Sequence, residues 1–291
     1  MPTNQQRREA AKRKLERQMV RRAERAKKRR IFAVGATVIG VVLVVGLIYW
    51  LTTIGGDDTT DPAAQTDTTA PEATPDVPAS IPTELAAVPK RPKALPATTT
   101  CEYRTEEGAE PAKEVDAPPT ADVSATGTVQ ATIKLSTGDV KATLDRALAP
   151  CTVNSFVSLA KQGYFADAPC HRLTTGEGLQ VLQCGDPTGT GSGGPGYVFD
   201  NETFPEIKYG RGILAMANAG GTKKGEGTNG SQFFIVYGSA ELPPDYTVFG
   251  SIDAESMKVI DEIAKAGTIS QGMPGDGKPK TEVAITAVEI A

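Results

Sequence analysis

The sequence has one histidine, one tryptophan and four cysteines in 291 residues, and aromatic residues make up only 5% of it. A lone His171 and no Cys-x-x-Cys pair exclude a His-rich metal centre and a thioredoxin-like redox motif. The cysteines stand fifty, nineteen and fourteen residues apart, which fits no zinc module. Also absent are the Gly-x-Ser-x-Gly elbow, the His-Glu-x-x-His helix and the Gly-x-x-x-x-Gly-Lys-Ser/Thr phosphate loop. The glycine-rich GTGSGGPG at 189–196 follows none of these patterns and reads as tight turns. No metal and no cofactor are expected.

The net charge of −4 hides an asymmetry, since residues 1–30 hold thirteen Lys/Arg against three Asp/Glu, and the remainder eighteen against thirty-two. The two parts carry +10 and −14. An acidic body with a pI near 5.3 argues against nucleic-acid binding, and the basic start contains no aromatic residues for base stacking.

Residues 31–54, IFAVGATVIGVVLVVGLIYWLTTI, run twenty-four positions without a charge, enough to cross a hydrocarbon layer of about 30 Å as one helix. Lys27, Lys28, Arg29 and Arg30 precede it, and Tyr49 and Trp50 sit near its far end. The positive flank predicts a cytoplasmic N-terminus and an extracytoplasmic C-terminal part. A cleaved signal peptide competes, but the run is long and no small-x-small site follows it; an uncleaved signal anchor in the cell membrane is the expectation. Residues 55–100 are rich in Thr, Pro and Ala without apolar periodicity, so they are expected to form a disordered stalk. Residues 101–127 form an extension to the folded domain at 128–291.

From Val129 short alternating runs begin. VQATIKL and VKATL flank a short Gly-containing loop, which predicts a hairpin with a bulge. PCTVNSFVSLAKQG starts with Pro150, spaces Val153, Phe156, Val157 and Ala160 helically and stops at Gly163. CHRL, LQVLQC, GILAM, QFFIVY, TVFGSI and VAITAVEI read as strands; MKVIDEIAKAG offers a second helix with Met257, Ile260 and Ile263 on one face. About eight strands and two helices point to a β-barrel closed by helices. Periodicity alone takes function no further than a barrel with a polar pocket. His171 beside Arg172 reads, on its own, as a rim residue, and Phe234 as barrel core.

The series CHRL (170–173), LQCGDPTGTGSGGPGY (182–197), GILAMANAG (212–220), TNGSQFFIVY (228–237) and YTVFG (246–250) resembles the cyclophilin family of peptidyl-prolyl isomerases in wording, order and spacing, across about 128–291. The resemblance, to a bacterial, membrane-anchored member, implies a mainly-β fold: an eight-stranded antiparallel barrel capped by two helices. It implies rotation about X-Pro bonds, with Arg172 as the catalytic arginine and Gln183 and Gln232 positioning it and the peptide. Asn218 would pair its backbone with an extended substrate, in a groove kept shallow by Ala217 and Ala219. Phe234 would form the base of the proline pocket, with Met216 just before the groove and Leu242 as a further apolar wall. Where the family commonly has a Pro-Gly-Phe-Met segment, TTGEGLQVL stands here, three residues longer. Backward alignment from Gln183 puts Gln180 and Val181 at the pocket wall in place of an aromatic and a methionine. A weaker isomerase follows from that loss of apolar contact. Glu241 and Tyr246 stand where many eukaryotic members have Trp and His, which argues against strong cyclosporin binding.

Four cysteines beyond the span allow two bridges in three connectivities. The hairpin implied by the resemblance brings Cys170 beside Cys184, which leaves Cys101 with Cys151. The expected protein is a membrane-tethered isomerase with a monomeric catalytic domain that assists extracytoplasmic folding. Its partners are Pro-containing polypeptides and, through 31–54, the lipid bilayer; nucleic acid is not among them. The alternative is a weakly catalytic or non-catalytic module gripping Pro-containing segments of an envelope partner.

Overall fold

In TVQATIKL the apolar residues Val129, Ala131, Ile133 and Leu135 fall at every second position, and these are the ones buried in strand β1 (Thr128–Leu135). Strand β2 (Gly138–Asp145) buries Val140, Ala142 and Leu144 in the same way. The two run antiparallel in unbroken register from Thr128↔Asp145 to Leu135↔Gly138. The expected hairpin forms, but its short connection fits the strand twist without the expected bulge. The computed structural model describes residues 76–105, 110–221 and 223–291. The expected cytoplasmic segment, the membrane span at 31–54 and the first part of the stalk lie outside the described residues. Among the described residues no helix is long and apolar enough to cross a membrane.

Helix α1 (Pro150–Lys161) starts at the expected proline and buries Val153, Phe156, Leu159 and Ala160. Its preceding residue, Ala149, offers no side-chain cap. The cap comes instead from Glu202, whose carboxylate accepts from Cys151 N at 3.0 Å, Thr152 N at 2.8 Å and Thr152 Oγ1 at 2.8 Å. Burial pushes the Glu202 carboxyl above its ordinary range, against the donors that favour its charged form.

The segment 168–174 is kinked at 170–171 and forms strands β3 (Ala168–Pro169) and β4 (Arg172–Thr174). It is followed by β5 (Leu179–Cys184), β6 (Ile213–Met216), β7 (Phe233–Ala240) and β8 (Val248–Ile252). Next come helix α2 (Ala254–Ala266), a hairpin of β9 (Thr268–Met273) and β10 (Asp276–Pro279), and β11 (Ala284–Ile290). The sheet runs β5, β7, β6, β8, β2, β1, β11, all antiparallel, and segment 168–174 joins its ends: β4 pairs β5, and β3 pairs β11. The result is a mainly-β, barrel-like sheet with two helices. Inside it, Phe156 packs on Phe165, Phe233 and Phe249 with ring centroids 5.0–5.6 Å apart. Each such ring contributes roughly 1.5–3 kcal/mol by leaving water.

Helix α2 buries the expected Met257, Ile260 and Ile263, and Asp253 caps it by accepting from Ser256 N at 2.7 Å. Its Asp261 makes a two-pronged ion pair with buried Arg211, at 2.6 and 2.7 Å. Both disulfides form in the expected pairing, Cys101–Cys151 and Cys170–Cys184.

Residues 76–100 depart from the expected disordered stalk and lie as a strap along the barrel. Asp76 bridges Thr268, and Ser80 O accepts from Gln180 Nε2 at 2.9 Å. Ala86 N donates to Arg211 O at 2.9 Å, and Thr98–Thr99 pairs with Val123–Ser124. Arg91 reaches Leu148 O at 2.8 Å and Glu202 O at 3.0 Å, with its guanidinium over the Phe204 ring. The strap buries little of its own; the barrel's polar groups hold it, and its prolines leave little chain entropy to lose. The extension is fastened likewise: Tyr103 donates to Cys151 O at 2.8 Å, and Arg104 pairs with Asp200 at 2.9 Å.

Candidate active site

Strand register builds the site. Arg172 on β4 lies opposite Gln183 on β5, Gln183 opposite Phe234 on β7, and Phe234 opposite Ala215 on β6. The alternate row, Leu173, Leu182, Ile235 and Leu214, is wholly buried and fills the barrel, so the first row faces the other way. Arg172 donates through Nη1 to Gln183 Oε1 at 3.3 Å. Gln183 Nε2 donates to Gln232 Oε1 at 2.9 Å, and Gln232 Nε2 donates to Gly191 O at 3.0 Å and Gly193 O at 3.1 Å. A relay of amides thus links the arginine to the glycine-rich loop.

That loop is wrapped around a carboxylate. Asp186 accepts from Thr188 N at 2.7 Å, Gly191 N at 2.7 Å, Gly193 N at 3.0 Å and Thr188 Oγ1 at 2.7 Å. Burial works against its charge, but these hydrogen bonds together hold the carboxyl below its ordinary range. Only glycine fits at 193, where a Cβ would stand 2.0 Å from Asp186 Oδ1. The turns expected for GTGSGGPG are therefore one anion-centred loop. His171 packs near Gly191, and burial lowers its pKa, so it is neutral at pH 7.

A cleft of about 410 Å³ opens between this loop and the β6–β7 side; Gln183, Gln232, Ala217, Asn218 and Ala219 line it. Arg172 and Phe234 adjoin the cleft through Gln183 rather than lining it. Ala217 N donates to Gln232 O at 3.0 Å, and the Asn218 side chain donates to Asp245 O at 3.1 Å. Phe234 is nearly covered, with Tyr246 edge-on at 5.8 Å and Tyr209 at 6.4 Å. Tyr209 OH donates to Tyr246 O at 2.8 Å and accepts from Tyr246 N at 3.0 Å. Burial pushes the Tyr209 phenol up to about 12, which keeps it neutral.

The cyclophilin-type peptidyl-prolyl cis-trans isomerase family model matches residues 129–290, the whole barrel and more than half of the chain. The chain belongs to the cyclophilin family. This cyclophilin is 42% identical, over the full length of both chains, to "Probable peptidyl-prolyl cis-trans isomerase B" of Mycobacterium leprae. It is 52% identical to the protein of the same name from Mycobacterium tuberculosis over 164 residues, which are 52% of this chain and 51% of that one. A crystal structure of a Cryptosporidium parvum cyclophilin aligns at 34% identity with a TM-score of 0.49, covering 57% of this chain and 98% of that one. By family and by these mycobacterial relatives the chain is a peptidyl-prolyl isomerase.

The structure of this cyclophilin moves several of the expected site residues. Met216 pairs with Phe233, whose ring packs on Phe156, so its side chain joins the core and not the groove. Strand alternation dictates this, because its neighbour Ala215 holds the place beside Phe234. Val181 shares the face of Gln183 and is buried opposite Val236. Gln180 is not a polar pocket wall either: its amide serves Ser80 O and, at 3.0 Å, Ser239 N. Leu242 is half-buried against the core beyond β7. Sequence reading missed Tyr209 and Asp276. Tyr209 lies in a two-residue pairing with β7 that carries no periodic signal. Asp276, from the β9–β10 hairpin, accepts from Arg172 Nε at 2.8 Å and Nη2 at 2.7 Å. This hairpin was also missed, because TISQGM exposes every residue after the first.

Proposed function

We propose that this cyclophilin isomerises X-Pro bonds of extracytoplasmic polypeptides with Arg172 as the catalytic group, held to the cell membrane by residues 31–54. Amide resonance sets a barrier of about 18–20 kcal/mol and leaves the uncatalysed step at tens of seconds or longer. The task needs no nucleophile; it needs a donor that follows the prolyl nitrogen and carbonyl as conjugation is lost, and anchors for the flanking chain. The observation that carries the reading is the row Arg172, Gln183, Phe234 beside the cleft. A guanidinium has five N–H groups. Three are engaged by Asp276 and Gln183, which leaves two, one on each terminal nitrogen, for a substrate. Hydrogen bonds from Arg172 to Asp276 raise its pKa further, so it is charged at every working pH.

Asn218 and the small Ala217 and Ala219 suit an extended chain laid in the cleft, and Phe234 with Tyr246 and Tyr209 suits the pyrrolidine ring. Tyr246 thus supplies aromatic wall of the kind missing from TTGEGLQVL. Two disulfides support an oxidising compartment, as the charge flanking 31–54 does for the topology. Two assays test the reading. Protease-coupled isomerisation of Ala-Pro and Leu-Pro peptides by the full chain should show acceleration that Arg172→Ala abolishes. In cells, external protease should digest the barrel and spare an N-terminal tag; a protected barrel overturns the extracytoplasmic placement.

A further inference from the structure

The register pairs Asp276 with Thr174, which makes Arg172 its diagonal neighbour on the same sheet face. The carboxylate takes the Nε–Nη2 edge of the guanidinium in a bidentate pair. Without that pair, Arg172 is a long side chain with more than a third of its surface in solvent, fixed only by one 3.3 Å bond to Gln183. The hairpin that presents Asp276 is in turn pinned by the strap. Asp76 exchanges backbone hydrogen bonds with Thr268 at 2.9 and 3.0 Å. Its carboxylate accepts from Gly275 N at 2.9 Å and from Ser270 Oγ, and Gly275 immediately precedes Asp276. Strand β9 is the free edge of the sheet, so Asp76 is what holds its outer side.

We infer that Asp276 is a positioning residue for Arg172 and that the strap, through Asp76, sets the hairpin that carries it. The bidentate pair turns the two unengaged N–H groups of Arg172 away from the hairpin and toward the row with Gln183 and Phe234. The segment that joins the barrel to its tether is therefore part of the apparatus that aims the catalytic group. This rests on Arg172 being the group that touches substrate.

The test compares kcat and KM of the full chain for an Ala-Pro peptide with those of Asp276→Ala, Asp276→Glu, Asp76→Ala and Arg172→Ala, with thermal unfolding as a check on folding. Misaiming a catalytic group by about 1 Å costs up to 10²-fold, so Asp276→Ala should lower kcat about tenfold with KM within about twofold. Asp276→Glu should recover most of that loss, and Asp76→Ala, remote from the peptide, should lower kcat by about threefold in the same sense. A folded Asp276→Ala with unchanged or higher kcat overturns the positioning role. A Glu variant no better than Ala assigns the loss to packing and overturns it as well. An unchanged Asp76→Ala overturns the part given to the strap. Full activity in Arg172→Ala is a separate failure, that of the reading on which this one stands.

Discussion

The barrel strands and the pieces laid on them are built by different physics. In β1 and β2 each side chain's burial follows from its position, because a sheet with one face in the core sorts residues at every second place, while β7 is buried along nearly its whole length. The strap at 76–100 and the hairpin at 268–279 bury little, and polar contacts hold them, to the barrel through Ser80 with Gln180 and Arg91 with Leu148 O and Glu202 O, and to each other through Asp76 with Gly275. The first kind of structure is written locally in the sequence. The second depends on partners 57 to 199 residues away, and it is the second that reaches Arg172.

If the barrel is the seat of stability, truncating it should have the largest effect. Phe156→Ala, which empties the centre of the ring cluster, should cost about 3–5 kcal/mol, measured as a shift in denaturant midpoint. The disulfides sharpen the comparison. Replacing Cys101 and Cys151 by Ser opens a crosslink of separation 50, with an expected cost of about 4 kcal/mol; the 14-residue crosslink Cys170–Cys184 should be worth about 3 kcal/mol by the same chain-entropy argument. The reverse order would mean that the extension is already ordered without its bridge. Arg91→Ala removes two hydrogen bonds and a ring contact from the strap and should cost about 1–2 kcal/mol.

The smallest effects lie in surface charge and pH. Lys258→Ala breaks an exposed i,i+3 pair with Glu255 and should change stability by less than about 0.5 kcal/mol. Asp276 is held below the ordinary carboxylate value by its hydrogen bonds from Arg172, with burial opposing. A lowered folded-state pKa stabilises above the unfolded value near 3.8 and is lost as pH falls through the folded one. Stability should therefore decline below about pH 4, and Asp276→Asn should flatten that decline. An equally steep acid limb in the variant would assign the effect to Asp186 and Asp200, whose carboxyls are also held low.

Much of the fold was legible: both helices begin and end within a few residues of where Pro150, Gly163 and the Met257 periodicity put them, and the named strand runs form the barrel. Both disulfide partners followed from the hairpin that the family resemblance implies. Of the residues that motif matching named for the site, the register brings Arg172, Gln183 and Phe234 into one row, and Gln232 and Asn218 line the adjoining cleft. It erred where adjacency in sequence stood in for direction in space: Met216 is next to the groove in the chain and points into the core. Gln180 went astray because its partner, Ser80, lies in a segment whose composition gave no sign of order. Tyr209 and Asp276 come from short pairings without periodicity, and only long-range register could reveal them.

X-Pro bonds are expected to turn at the row of Arg172, Gln183 and Phe234. The most direct measurement is NMR exchange spectroscopy of an Ala-Pro peptide with catalytic amounts of the full chain. Exchange cross-peaks between the cis and trans signals are expected with the parent chain and none with a folded Arg172→Ala. Equal exchange with both proteins would contradict this and place the chemistry elsewhere on the barrel.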